Sequence, residues 1–312
     1  MTRYVLIFAL LSAAANAGDG AWVRDDGRAI WGRTDGVVFG LPAQGGMPGP
    51  RGLIRIGIWN RETGKPDLIN FIAIEPVVEG RGPRLPREGF SELEMSVLDA
   101  PQQGKRLTAE AAAGEDLTVP IEVERYQRGQ HVYLMARMAG GKPNEIEFSV
   151  FQHQDSAKIE ELTLSSTMGS YERLRQLWLR DRIVDSRELY AGYKDDAFVE
   201  RENYPLAQMI RTAAADAVAI CTTNEANPAM GKTDPMWRYH SVKLTQYWRV
   251  PKKDIQPNLR VRVNGRYTYW KTQSPIPGGI TFENFEVRQR YVSGQRFIFG
   301  LTRQDATALS KK

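Results

Sequence analysis

Apolar and polar residues alternate with a period of two along most of the chain, in short runs separated by Gly and Pro. Such alternation puts one side of an extended segment in a core and the other in solvent. It predicts strands over 36–41, 53–59, 68–74, 90–98, 117–126, 131–138, 145–153 and 158–164. Further strands are predicted over 217–222, 238–250, 259–263, 266–271, 282–291 and 296–301. Helical spacing occurs in two places. In 171–181, Tyr171, Leu174, Leu177 and Trp178 share a face, with Ser170 as N-cap, and 205–211 opens on Pro205. The long segments 42–51 and 80–89 are rich in Gly, Pro and Arg and read as loops. Many short strands with few helices predict a mainly β protein: an antiparallel β-sandwich or jelly-roll-like fold, with one or two short helices in connections. The expected domain spans 18–312, either undivided or as two packed β subdomains.

Composition narrows this picture. At 42% hydrophobic and 25% charged residues the chain is a folding sequence, not a disordered one. Its lone cysteine, Cys221, excludes an intramolecular disulfide and a cysteine-ligated zinc or iron–sulfur site. Cys221 closes the apolar run 217–221 and is expected to be a small buried hydrophobe. The first 17 residues read as a signal peptide: Arg3, an apolar stretch over 4–11, then the small-x-small site Ala15-Asn16-Ala17. That stretch is shorter than the roughly 20 residues a membrane-spanning helix needs, and no later segment is apolar enough. The expectation is an exported protein, periplasmic or extracellular, with no transmembrane segment in the mature chain.

Charge is segregated. The net charge is +5, but residues 235–312 alone carry +11. A cationic end on an exported protein points to an anionic partner, a uronate or sulfated glycan before nucleic acid.

Three groups of residues carry candidate chemistry. The first is the stretch 259–271, where Asn264-Gly265 predicts a two-residue type I′ hairpin turn. Alternation then sends Leu259, Val261, Val263, Thr268 and Trp270 to a core face. Arg260, Arg262, Tyr267, Tyr269 and Lys271 take the opposite face, a cationic-aromatic platform. Strand 238–250 repeats the pattern, with Val242, Leu244, Trp248 and Val250 inward and Tyr239, Lys243, Tyr247 and Arg249 outward. Tyrosine rings suit the C–H faces of sugars, and Arg and Lys suit their acidic groups. A tyrosine ringed by cations is expected to have a lowered pKa.

The second group is a histidine pair. Pairing 131–138 with 145–153 so that residue numbers sum to 284 puts the apolar residues of both on one face. The same register sets Arg137 opposite Glu147, Tyr133 opposite Phe151 and His131 opposite His153. Two adjacent imidazoles can share a metal ion or act as acid and base. The sequence identifies no third protein ligand, so no metal set or cofactor is assigned. His240 lies on the core face of its strand. The third group, Glu75 with Glu92 and Glu94, holds the paired carboxylates that a glycoside hydrolase uses.

The chain has no G-x-S-x-G elbow, P-loop, dinucleotide fingerprint, H-E-x-x-H or EF-hand loop. The reading that joins these observations is a polysaccharide lyase acting on an anionic glycan. Tyr239, Tyr247, His131 and His153 are its acid–base candidates. Lys243, Arg249, Arg260, Arg262, Tyr267, Tyr269 and Lys271 would bind substrate. A non-catalytic carbohydrate-binding or surface protein, and a hydrolase using the three glutamates, are the alternatives.

Overall fold

The structure is a computed structural model that describes residues 20–25, 27–41, 54–78, 104–106, 116–123, 125–126, 129–167, 173–225, 243–269 and 272–310. In chain order the strands are β1 (Trp22–Asp25), β2 (Ile30–Arg33), β3 (Val37–Gly40), β4 (Ile54–Asn60), β5 (Lys65–Val78) and β6 (Gly104–Arg106). There follow β7 (Asp116–Val123), β8 (Val132–Ala139), β9 (Glu145–Gln152), β10 (Ile159–Thr167), β11 (Gln176–Trp178) and β12 (Ile183–Asp185). The last are β13 (Glu202–Pro205), β14 (Ile210–Arg211), β15 (Ala217–Thr222), β16 (Thr245–Val250), β17 (Arg260–Arg266), β18 (Thr281–Arg290) and β19 (Arg296–Thr302).

These strands form two sheets. The first has the order β1-β2-β3-β4-β5-β10-β18-β17-β13, and the second β12-β11-β15-β16-β19-β9-β8-β7-β6, with β14 also on β15. Every pairing among the described residues is antiparallel. One apolar cluster joins both sheets: Phe39, Ile56, Ile72, Leu164, Phe285 and Val261 from the first meet Ile121, Leu134, Phe148, Trp248 and Phe299 from the second. The expected antiparallel β-sandwich is the observed architecture. No helix among the described residues is long and apolar enough to cross a membrane.

Alternation explains some strands and not others. β7 and β8 bury every second residue, and β9 does so through Val150, so one face packs and the other remains partly open. The central strands β15 and β16 are buried on both faces. Ala217, Ala219 and Cys221 enter the main core. Val218, Ile220 and Tyr247 form a second cluster beneath the short helix Ala306–Ser310. Gly300 is required there, because a Cβ on it would stand 2.0 Å from the Tyr247 ring carbon Cζ.

Three expectations about local structure are corrected. Asn264-Gly265 makes no turn: β17 runs straight through it and pairs with β18, with a register shift between the two residues. The Asn264 side chain binds across the sheet, accepting from Asn284 Nδ2 at 2.9 Å. The Gly265 φ is not left-handed, so the residue serves close approach: a Cβ would lie 2.6 Å from the Thr281 carbonyl oxygen. Secondly, 171–181 is no helix where it is described; Gln176–Trp178 is a strand on β15. Arg175 is wholly buried and gives guanidinium hydrogen bonds to Glu225 and to the Gly279 and Pro277 carbonyls, which fixes this extended path. Thirdly, 205–211 contributes only the 3-10 turn Leu206–Gln208 before entering β14.

Candidate functional site

The two sheets turn charged outer faces away from the common core, and the faces differ. On the first sheet, Arg260 and Arg262 alternate with core residues Val261 and Val263, as their spacing predicts. Their guanidinium groups are already occupied. Arg260 binds Glu161 at 2.9 Å, and Arg288 binds the same carboxylate at 2.5 Å. Burial alone would raise the Glu161 carboxyl, but the hydrogen bond from Arg260 and the charges of Arg288 and Arg260 outweigh it and hold its pKa at about 2. Arg262 pairs with Glu286 at 3.4 Å, and Arg201 binds that carboxylate at 2.8 Å. Glu286 is 0% exposed. Burial pushes its carboxyl up, and the Arg201 and Arg262 charges override this and keep it ionised.

The expected platform is therefore not assembled. Because β17 continues past Asn264-Gly265, Tyr267 and Tyr269 lie in the connection after it rather than opposite Arg262 and Arg260. Tyr269 is buried against Ile276. Glu75 is buried too, close enough to Arg262 for its charge to favour the guanidinium, and so acts as a counter-ion in this layer. Tyr239, His240, Lys271, Glu92 and Glu94 lie outside the described residues. Lys243 is exposed, 3.8 Å from Asp305.

The outer face of the second sheet is more open. Arg137, Lys142, Glu145, Glu147, Arg249 and Arg296 line a groove of about 260 Å³. Arg137 is 3.8 Å from Glu147, as the register predicts, and also pairs with Asp116. Arg296 bridges Glu147 at 3.5 Å and Asp254 at 2.8 Å. Arg249 joins Glu145 at 2.5 Å and Asp216 at 2.9 Å. Tyr247 donates its hydroxyl to Glu145 Oε1 at 2.8 Å. Burial first, then the Glu145 charge, raises the Tyr247 pKa, opposite to the expected lowering. A phenol so held is a poor base and supports Glu145 structurally.

Further along the same face lie the histidines. His153 N–H donates to the His131 carbonyl at 3.0 Å, which extends the β8–β9 ladder. The rings stack with centroids 4.0 Å apart and planes at 26°, so the expected adjacency holds. Tyr133 and Phe151 stack beside them at 5.1 Å. The third member is Glu122, on β7 opposite Tyr133. Its Oε1 is 3.1 Å from His131 Nε2 and 2.8 Å from His153 Nε2. Each of the three residues offers one donor atom, and these atoms lie within 4.8 Å of one another. Asp155 Oδ1 takes the far side of His131, 2.8 Å from Nδ1, and Arg125 in turn donates to the Asp155 carbonyl at 2.9 Å. A carboxylate and two imidazoles in this arrangement can pass a proton or bind a cation.

Glu122 and Asp155 were missed from the sequence. Glu122 carried a signal, since it alternates with Ile121 and Val123 and must share the histidines' face once β7 pairs with β8. Asp155 lies in the turn after β9, where no period applies.

No family model matches the chain, and no curated protein matches it. Among solved structures, the chain is similar to the crystal structure of the GH36 alpha-galactosidase AgaA from Geobacillus stearothermophilus, at 10% identity and a TM-score of 0.30. The match covers 78% of this chain and 29% of that one, so the chain spans less than a third of that protein's length. A likeness at this level carries no functional weight.

Proposed function

We propose that this is an exported carbohydrate-active protein that takes an anionic polysaccharide along the outer face of its second sheet, most simply as a lyase. One observation carries the reading: a groove lined by ion-paired cations of which Arg137 and Lys142 stay exposed, the Tyr133–Phe151 stack and the histidine cluster lie in sequence on one partly open face. From Glu147 to His153 this face runs six residues, about 20 Å along β9. An extended acidic chain fits such a strip. Arg137, Lys142 and Arg296 would meet its charges, and the ring pair would meet a sugar face.

β-Elimination on a uronate removes the proton beside the carboxylate, forms the C4–C5 double bond as the C4–O bond breaks, and protonates the departing oxygen. It needs positive charge where the enolate-like oxygens develop. Arg249 stays in this reading as part of the groove wall. Arg260, Arg262, Tyr267 and Tyr269 drop out of it, and Tyr247 leaves the acid–base set. The reacting end falls at His131 and His153.

A panel of acidic and neutral polysaccharides tests this directly. A lyase generates an unsaturated, ultraviolet-absorbing product from acidic chains, a hydrolase only new reducing ends, and a binding protein neither. Turnover of neutral glycans alone contradicts the proposal.

A further inference from the structure

We infer that Glu122, His131 and His153 form a binding site for a divalent transition ion of the zinc class. The inference concerns what three donor atoms bind and not what the protein acts on, but it uses the same two imidazoles that the glycan reading puts at its reacting end, so with an ion bound neither Nε2 atom serves as acid or base there. The distances suit an ion. Zinc lies about 2.0–2.1 Å from histidine nitrogen and carboxylate oxygen, so neighbouring donors around it stand roughly 2.9–3.4 Å apart between octahedral and tetrahedral angles. Glu122 Oε1 is 3.1 Å from His131 Nε2, inside that range, and 2.8 Å from His153 Nε2, just under it, and all three ligand atoms lie within 4.8 Å of one another.

Proton accounting admits an ion as readily as a doubly protonated ring. His131 faces carboxylate oxygens from both ring nitrogens, Asp155 at Nδ1 and Glu122 at Nε2. Without a cation, both contacts are hydrogen bonds only if that ring carries two protons. With an ion in the cluster, His131 needs one proton, on Nδ1, and gives its Nε2 lone pair to the metal. The Asp155 contact then fixes the tautomer and ring plane, the supporting role that metal-ligating histidines usually have filled by a carboxylate.

The ligand type sets the ion class. Two imidazoles and one carboxylate suit zinc and its neighbours and not calcium or magnesium, which take all-oxygen shells. The side chains of His131, His153 and Glu122 are 22%, 29% and 22% exposed, so water or a substrate oxygen can reach the remaining coordination positions. That is the layout of an open site rather than a closed structural one.

Zinc titration of the full chain, without any glycan, tests the inference through bound metal per chain after equilibrium dialysis. One ion per chain is expected. The double variant His131→Ala/His153→Ala should lose at least ~100-fold in affinity, and Asp155→Asn about 10–100-fold. Cobalt provides a check that needs no variant: visible absorption of cobalt bound to the unaltered chain should show nitrogen and oxygen ligation and vanish on zinc addition. Absence of stoichiometric zinc binding to the unaltered chain overturns the inference. So does undiminished binding in the folded double variant. Polysaccharide inactivity of both the metal-free and the zinc-loaded chain would sink only the glycan proposal, and glycan turnover without zinc binding would sink only this one.

Discussion

The outer faces of the two sheets carry the same residue types and reach different states. On the first, four arginines (Arg201, Arg260, Arg262 and Arg288) share the carboxylates of Glu161 and Glu286, and Glu286 is wholly buried. On the second, Arg137 and Lys142 stay exposed beside a groove, with paired rings and a carboxylate–histidine cluster farther along β9. Alternation puts Arg and Tyr on a face in both cases. Whether the face can meet a ligand depends on the strands beside it and on what lies over it. On the first sheet β10 and β18 bring Glu161 and Glu286 to the arginines of β17.

The largest effect should come from the closed face. Glu286→Gln leaves Arg201 and Arg262 buried with the carboxylate charge gone, and should cost about 3–5 kcal/mol in denaturant unfolding. Arg137→Ala on the open face should cost less than about 1 kcal/mol. Near-equal losses would erase the contrast between the faces. The paired substitution of Arg260 and Arg262 by alanine should also destabilise the protein by several kcal/mol, because Glu161 and Glu286 lose cations. Both lie on the outward face that alternation predicts, where replacement ordinarily costs folding little; the ion pairs to Glu161 and Glu286 change that.

A pH measurement sharpens the same point. The Glu161 carboxyl titrates at about 2 in the folded chain, against 4.5 ordinarily. A depressed carboxyl pKa contributes stability that is fully present above pH 4.5 and is lost as pH falls toward 2. Glu161→Gln should lower stability at pH 7 and flatten the loss between pH 4.5 and 2. An unchanged acid slope in the variant would mean that Arg260 and Arg288 do not hold this carboxylate as described.

How much was legible in the sequence follows from the same physics. The sandwich and the β8–β9 register were readable because each rests on period-2 burial, which β7 and β8 obey throughout and β9 obeys through Val150. Asn264-Gly265 misled because the pair favours a turn locally, whereas β18 pairs with β17 through those residues and the Val199 N–H binds the Gly265 carbonyl from the other edge. The 171–181 pattern fits a helix face just as well as it fits Leu174 and Leu177 entering the core from an extended segment. Tyr247 was read as outward, and it is, but helix Ala306–Ser310 covers that side. Sequence spacing reports a residue's face; it cannot report a cover supplied by a segment far away in the chain.

A smaller effect concerns the tyrosine. Tyr247→Phe removes a hydrogen bond to Glu145 and should cost about 1 kcal/mol. Any turnover of acidic glycan should be retained. Abolished turnover with binding intact would restore the hydroxyl to the catalytic set.

Binding of a soluble polyuronate at low ionic strength, followed by calorimetry, tests the central claim most directly. The triple variant Arg137→Ala/Lys142→Ala/Arg296→Ala removes three of the four groove cations and leaves Arg249, and Arg260→Ala removes one from the closed face. Charge-assisted hydrogen bonds contribute about 1.5–3 kcal/mol each, so the groove variant should lose at least ~10-fold in affinity, while Arg260→Ala keeps the affinity of the parent despite its lower stability. Full affinity in the folded groove variant, or a larger loss in Arg260→Ala, would contradict the assignment of the anionic ligand to the second sheet.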